Sequence, residues 1–159
     1  MKLWILAVGK PGALLRDAIA EYERRAARYW PLEVVEVKAA SARNRDPADV
    51  RSEESDRVIG RLPERVELVA LTRTGDAFSS ERLARQLGRA AAQGSAGIAF
   101  VIGGAFGLSD QLLRDAHRRI RLSALTLPHD FARLIFAEQL YRAGTIARGE
   151  PYHKAKGSG

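Results

Sequence analysis

The glycine-rich stretch FVIGGAFGLSD, residues 100–110, is the part of the sequence in which backbone groups are best placed to bind a ligand. An apolar run leads into Gly103, Gly104 and Gly107, and Ser109 then opens a helix-like segment. Glycine-rich turns before helices commonly bind phosphate through their free N–H groups. This stretch, however, matches neither the dinucleotide fingerprint G-x-G-x-x-G nor the phosphate loop G-x-x-x-x-G-K-[ST].

Two further loops are predicted at the same end of the sheet, at residues 71–79 and 125–131. Ligands of open α/β sheets bind beyond the carboxyl ends of the strands. Neither lysine nor arginine occurs within residues 101–110 or 122–132. Three such loops would form a slot lined by main-chain N–H and C=O groups, which suits a flat uncharged heterocycle such as adenine and requires no phosphate.

The turn Gly9-Lys10-Pro11-Gly12 after the first predicted strand is interpreted as an ordinary strand-to-helix connection. A nucleotide-dependent oxidoreductase would need the dinucleotide fingerprint here and an acidic ribose ligand about 20 residues later. The sequence lacks both, although an oxidoreductase on a conventional open sheet remains one alternative.

Strand-like and helix-like segments alternate along the chain, which predicts an α/β fold with a mostly parallel sheet and helices on both faces. Such a sheet would place these loops together. The predicted strands are residues 2–8, 32–38, 66–72, 98–102 and 120–127. The predicted helices are residues 13–29, 47–60, 79–94, a short one beginning at Ser109, and a last one after Pro128 with Asp130 as a cap.

Composition narrows the class of protein. The 159 residues are 46% apolar, which predicts a single domain spanning residues 1–159. The absence of cysteine excludes disulfides, thiolate metal sites and cysteine nucleophiles, and we predict no metal. No segment is long and apolar enough for a membrane span, and the amino terminus lacks a secretory signal pattern. We therefore expect a cytoplasmic protein without a membrane partner.

Charge and helix patterning predict partners. Lys and Arg number 26 against 19 acidic residues, and nine of the cations against four acids fall between residue 111 and the end, which favours a polyanion such as nucleic acid. The last helix has one apolar face containing Phe136 and Leu140 and a second containing Phe131, Leu134 and Tyr141. One sheet cannot cover both faces, so we predict a homodimer.

Three motifs carry a resemblance to a known family: VIGGAFGLSD, LSALTLPHDFARLIFAEQLYRA and GEPYHK. Together they resemble the RlmH family of SPOUT-class methyltransferases, which methylate N3 of a pseudouridine in 23S ribosomal RNA. The resemblance extends over the whole chain and departs from the family at AKGSG, residues 155–159, which is either a native extension or a non-native remnant. It implies a trefoil-knotted fold, a homodimer, S-adenosylmethionine as cofactor and the large ribosomal subunit as partner.

The resemblance also implies site residues. The cofactor-binding positions are Leu71, Gly103, Gly104, Leu122, Ser123, Ala124, Leu125, Thr126 and Leu127. The candidates for catalysis are His129, Arg142 and His153, and those for contact with RNA are Arg142, Tyr152, His153 and Lys154.

The imide N3 must lose a proton as it attacks, so a base or a cation near the developing negative charge is expected. His129 either serves this role or only closes the Pro128 turn, and Arg142 either contacts substrate or is a solvated charge. Tyr152 could stack on a splayed base, whereas His117 is interpreted as a surface residue. The alternative from another class is a non-enzymatic RNA-binding module that uses the basic C-terminal surface.

Overall fold

The computed structural model describes residues 1–154, so the prediction for residues 155–159 lies outside the described residues. Within residues 1–154, five strands and five α-helices alternate, and a 3-10 turn follows them. The strands are β1 (Lys2–Val8), β2 (Leu32–Val37), β3 (Glu67–Ala77), β4 (Gly97–Ile102) and β5 (Arg118–Arg121). The helices are α1 (Arg16–Ala26), α2 (Pro47–Ile59), α3 (Ser80–Ala92), α4 (Asp110–Asp115) and α5 (His129–Ala147), and the 3-10 turn is Pro151–Lys154.

The strands form one sheet in the order β2-β1-β4-β3-β5, with every pair parallel. The predicted fold class is confirmed. Parallel strands need helical crossovers, so helices cover both faces. Helices α1, α3 and α5 pack on one face and α2 and α4 on the other.

The central strand β4 is buried along its whole length, and its side chains alternate between the two layers. Phe100 belongs to the cluster beneath α1, α3 and α5, where its ring lies 4.7 Å from that of Phe136. Val101 belongs to the opposite cluster, with Val58 of α2 and Leu112 of α4. The period of two residues therefore builds both cores from one strand.

Helix starts were predictable where a serine precedes the first turn. The Ser79 hydroxyl accepts the N–H of Arg82, and the Ser109 hydroxyl accepts that of Leu112, so both predicted starts are confirmed. The predicted cap of α5 is wrong. Pro128 occupies the cap position, and the Asp130 carboxylate instead accepts the Gly12 N–H at 2.8 Å, which ties α5 to the β1–α1 turn.

Two strand predictions need correction. The strand predicted over 120–127 ends at Arg121, because the Ser123 hydroxyl accepts the Leu125 N–H at 2.9 Å and forms a local turn instead of pairing in the sheet. The segment predicted as a loop at 71–79 belongs mainly to β3, which continues to Ala77. Leu71 and Asp76 both pair with Ile120, so the residues between them arch out of the ladder and return to it.

The two apolar sides of α5 are covered largely within the chain. This helix lies between α1 and α3, and its Tyr141 ring packs 6.3 Å from Tyr22, 5.7 Å from Tyr29 and 4.5 Å from Tyr152. The second apolar face is therefore covered in part by neighbouring helices, so the two faces by themselves do not require a partner subunit. Phe131 remains 41% exposed, and the homodimer stays a prediction.

Candidate functional site

The ends of β4 and β5 and the arch of β3 bring the predicted cofactor positions to one edge of the sheet. Leu71, the last paired residue of β3 before its arch, pairs with Ile102 on one side and with Ile120 on the other. Gly103 follows Ile102 directly, and the loop 122–127 begins two residues after Ile120. The structure therefore places Leu71 beside the ends of β4 and β5, from which the segments at Gly103 and Leu122 continue.

Residues 103–107, here called the glycine turn, fold back tightly on themselves. The Gly107 N–H donates to the Gly104 carbonyl at 3.0 Å, and Gly107 has a φ of +82°, a conformation that favours glycine. A Cβ on Gly103 would stand 2.7 Å from the carbonyl carbon of Gly107. Two main-chain segments meet at this point, and the contact requires that no side chain separate them.

The 122–127 loop presents backbone and small side chains to solvent. Ala124, Leu125 and Thr126 are exposed, and Leu125 reaches 75% exposure, which is unusual for a large apolar side chain. The Arg73 guanidinium, from the arched part of β3, donates to the Thr126 hydroxyl at 3.3 Å. One cation therefore contacts a residue that is predicted to bind the cofactor.

A carboxylate that the sequence reasoning missed lies against the glycine turn. Glu54 of α2 is only 3% exposed. The Cβ position of Gly104 is 2.9 Å from its Oε1 and 3.1 Å from its Oε2. It lies in the predicted helix 47–60, which is rich in charged residues, and no sequence signal distinguishes Glu54 from its neighbour Glu53.

His129 has a carboxylate partner at the amino end of α5. Its Nδ1 lies 2.9 Å from Asp130 Oδ1, while Asp130 Oδ2 accepts the Gly12 N–H. A carboxylate on one ring nitrogen fixes the orientation of an imidazole and leaves the other nitrogen available for proton transfer. The pair follows the 122–127 loop and Pro128, so His129 lies next to the loop that is predicted to bind the cofactor. Asp130 was recognised in the sequence only as a helix cap.

Arg142, Tyr152 and His153 form a second group around Glu138, here called the tail group. The Glu138 carboxylate accepts from Arg142 at 2.5 Å and from the Tyr152 hydroxyl at 3.0 Å. The Arg142 guanidinium lies 5.1 Å from the Tyr152 ring centre. His153 Nδ1 is buried and has no hydrogen-bond partner among residues 1–154. Lys154 ends the 3-10 turn that carries this group.

The electrostatics of the tail group fix two protonation states. Burial, together with the hydrogen bond to Glu138, raises the pKa of the Tyr152 phenol above its usual range. The hydrogen bond to Glu138 also raises the pKa of the Arg142 guanidinium. Tyr152 is therefore a neutral donor and Arg142 a permanent cation at neutral pH, and neither can act as a base. The histidines remain the candidates for accepting a proton.

The predicted catalytic residues do not come together within one chain. Along α5, His129 and Arg142 are 13 residues apart, which is about 20 Å at 1.5 Å per residue. The tail group is held at the Arg142 position by Glu138 and Tyr141. His129 lies with the slot, and Arg142, Tyr152 and His153 lie elsewhere on the same helix.

Some cations of the C-terminal part are paired and others are exposed. Arg118 donates to Glu67 and Gln86, Arg133 is paired with Glu23 and Glu36, and Arg142 is paired with Glu138. Arg114, Arg119 and Arg148 are exposed. The RNA-binding module therefore remains an alternative. His117 is exposed, as expected, and its Nδ1 accepts the Leu68 N–H at 3.0 Å.

None of the described helices combines the length and apolarity that a bilayer crossing demands. Within residues 1–154, no three His, Asp or Glu side chains are grouped closely enough to hold a metal ion.

Comparison with known proteins gives the family. The model of the family described as "Predicted SPOUT methyltransferase" matches residues 1–153. The ribosomal RNA large subunit methyltransferase H of Gemmatimonas aurantiaca is 48% identical, with 97% of this chain and 100% of the relative covered. The protein of the same name from Syntrophotalea carbinolica is 38% identical, with 96% and 99% covered.

Solved structures agree on the fold. The crystal structure of a probable methyltransferase from Bordetella pertussis Tohama I superposes with a TM-score of 0.53 at 16% identity, covering 89% of this chain and 95% of that one. A probable methylase family protein from Haemophilus influenzae Rd KW20 gives 0.52 at 13% identity, covering 94% and 69%. Taken with the matched family model and the near full-length relatives, this shows that the chain belongs to the SPOUT methyltransferases, in the family of ribosomal RNA large subunit methyltransferase H.

Proposed function

We propose that this protein transfers the methyl group of S-adenosylmethionine to N3 of a pseudouridine in 23S ribosomal RNA of the large subunit. The observation that carries the proposal is that Leu71 pairs with both Ile102 and Ile120, the residues that lead into the glycine turn and the 122–127 loop, in a chain of this family. The relatives' names supply the class of substrate. The pseudouridine, the N3 position and the cofactor come from the resemblance of the motifs.

The residues present fit this cofactor. Its adenine has an uncharged hydrogen-bonding edge, and it carries a sulfonium and no phosphate. The glycine turn and the 122–127 loop offer main-chain groups and apolar side chains and contain no lysine or arginine. Leu71, Gly103, Gly104 and residues 122–127 would hold it. When bound, S-adenosylmethionine supplies an electrophilic methyl group on a positively charged sulfur.

The chain contributes alignment and proton removal. In-line displacement requires the nucleophilic nitrogen, the methyl carbon and the sulfur to be collinear, and fixing that geometry supplies much of the rate enhancement. His129, oriented by Asp130, is placed to take the N3 proton as the new N–C bond forms. Arg142, a permanent cation, would stabilise negative charge on the pyrimidine oxygens, and Tyr152 and His153 would contact the flipped base.

The function is tested by transferring a labelled methyl group to ribosomes purified from cells that lack the enzyme. Ribosomes with pseudouridine at the target, matched ribosomes with uridine there, isolated large subunits and free 23S RNA are compared. We expect label on N3 of the pseudouridine nucleoside after digestion, and stronger labelling of assembled particles than of free RNA. Equal labelling of the uridine and pseudouridine ribosomes would contradict the proposed specificity.

We also propose that the protein is a cytoplasmic homodimer and that its chain forms a trefoil knot. About 20 Å of helix separates His129 from Arg142 within one chain, so the tail group of one subunit would complete the slot of the other. The exposed Phe131, on α5 near the slot, offers apolar surface to such a contact. A closed two-fold dimer would then contain two composite sites.

A mixed dimer tests the composite site. One subunit carries Gly104→Leu, which damages its slot, and the other lacks residues 151–159, which removes its tail. Each homodimer is expected to be inactive, whereas the mixed dimer, purified through two different tags, should retain one working site and about half of the wild-type activity per dimer. Thermal unfolding checks that both variants fold. Failure of the mixed dimer to recover activity would contradict a site shared between subunits.

A further inference from the structure

Glu54 is a buried carboxylate with no buried cation to neutralise it. Among residues 1–154 it has no ion-pair partner within 4.0 Å, although the exposed Glu53 beside it pairs with Arg45 and Arg57. Its Oε2 accepts the Ala40 N–H at 3.1 Å. Its Oε1 is buried, and no donor in that part of the chain reaches it.

The free oxygen is directed at the glycine turn. The Cβ position of Gly104 stands 2.9 Å from Oε1, so the main chain of the turn lies directly against the carboxylate. The next residue of α2, Ser55, accepts the Ser109 N–H at 2.9 Å through its hydroxyl. Two successive residues of α2 therefore contact both ends of the segment that runs from the slot to α4.

A buried acceptor without a donor costs free energy, and a charged acceptor costs more than a neutral one. The state of the protein in which Oε1 gains a donor is correspondingly favoured. The nearest main chain is that of Gly104, and the glycines at 103 and 107 give the turn a wider choice of backbone dihedral angles than other residues would. An N–H of the glycine turn is therefore the donor that Oε1 can acquire with the smallest movement.

We propose that Glu54 is a positioning residue for binding of the methyl donor, S-adenosylmethionine. When S-adenosylmethionine occupies the slot, an N–H group of the glycine turn donates a hydrogen bond to Glu54 Oε1. The hydrogen bond to a charged acceptor offsets the cost of moving the turn, so Glu54 favours the ligand-bound shape of residues 103–107. Glu54 acts through the turn and does not itself touch the ligand. The inference rests on the proposed function, because the ligand is S-adenosylmethionine.

Glu54→Gln is the informative variant, and Glu53→Gln, on the same helix but exposed, is its matched control. Glutamine keeps one oxygen for the Ala40 N–H and then presents an NH₂ group, a donor, to the N–H groups of the turn. We expect the Kd and KM for S-adenosylmethionine to rise roughly tenfold, the loss of one hydrogen bond to a charged group. The kcat at saturating donor and the KM for ribosomes should stay within about twofold, and Glu53→Gln should match wild type.

A measurement on the wild-type protein needs no folded variant. The ¹³C resonance of the Glu54 carboxylate and the hydrogen exchange of amides 103–107 are followed while S-adenosylmethionine is added. We expect the Glu54 resonance to shift on binding and the hydrogen exchange of at least one amide of the turn to slow. The exchange of the amides of α3, which serve as the control, should not change. If Glu54→Gln fails to fold, this titration alone decides the proposal.

Three outcomes would overturn the inference. The donor could bind while the Glu54 resonance and the amides of the turn stay unchanged, or Glu54→Gln could bind the donor with wild-type affinity. A third is a fall in kcat and a rise in both KM values together with a lowered Tm, which would mark a purely structural role. If wild type binds no S-adenosylmethionine at all, the proposed function falls as well, and the two failures are thereby distinguished.

Discussion

Gly103→Ala is expected to weaken binding of S-adenosylmethionine by about 100-fold, which corresponds to about 3 kcal/mol of binding free energy. This is the upper part of the range for inserting an extra methyl group into a packed site. The new Cβ would lie 2.7 Å from the Gly107 carbonyl carbon and 2.9 Å from its oxygen. Both are main-chain atoms, which cannot rotate aside as a side chain does. The turn must open, and its N–H and C=O groups then leave the positions from which they would contact the ligand.

Isothermal titration calorimetry of the donor measures this effect, and Gly88→Ala is the matched control. A Cβ on Gly88, in α3, meets nothing within 4 Å. Alanine is the better helix former by about 1 kcal/mol, so the control should be slightly more stable than wild type and should bind the donor equally well. Wild-type affinity in Gly103→Ala would show that residues 103–107 do not form the binding slot.

The glycine turn shows which part of the site the sequence could predict. Its position after a fully apolar strand, and the absence of nearby cations, predicted a slot made of backbone. The alternation of strand and helix segments likewise predicted the sheet that brings 71, 103 and 122 to one edge. These features depend on local composition and on the general rule that parallel strands end at the same edge.

Other features depend on contacts distant in the sequence, so no local pattern could predict them. The burial of Glu54 follows from α2 packing against β1, β2 and α4 and from its contact with the glycine turn, whereas Glu53 is the same residue type one position earlier. The return of β3 to Ile120 at Asp76 requires Gly75, whose Cβ would stand 2.6 Å from the β5 backbone. In the sequence, Gly75 reads only as a turn residue.

The position of the tail group also depends on contacts that the sequence alone could not predict. The motif GEPYHK indicated which residue types are present, and the structure adds that Glu138 and Tyr141 hold Tyr152 far along α5 from His129. An α-helix rises 1.5 Å per residue, so two residues of α5 that are 13 positions apart are about 20 Å apart and cannot meet in one chain. If His129 and Arg142 both act in the reaction, as we propose, this separation favours a site shared between two subunits.

Arg133→Met is expected to destabilise the fold by about 3–5 kcal/mol, the usual cost of removing one partner from a buried ion pair. The Arg133 side chain is 6% exposed. Its guanidinium donates to Glu23 at 2.7 Å and 3.3 Å and to Glu36 at 2.9 Å, which joins α5 to α1 and β2. Urea unfolding measures the loss, and Arg114→Met, an exposed residue of α4, should change stability by less than about 0.5 kcal/mol.

The triple variant Arg133→Met, Glu23→Gln, Glu36→Gln separates the two physical causes of this effect. If the loss arises from carboxylates left without a counter-charge, neutralising both should restore most of the stability, because replacing a whole buried ion cluster is often close to neutral. If the loss arises from poor packing of methionine, the triple variant should be no more stable than Arg133→Met. We expect recovery, since Glu23 has an exposed side-chain fraction of only 14% and cannot regain full hydration once Arg133 is removed.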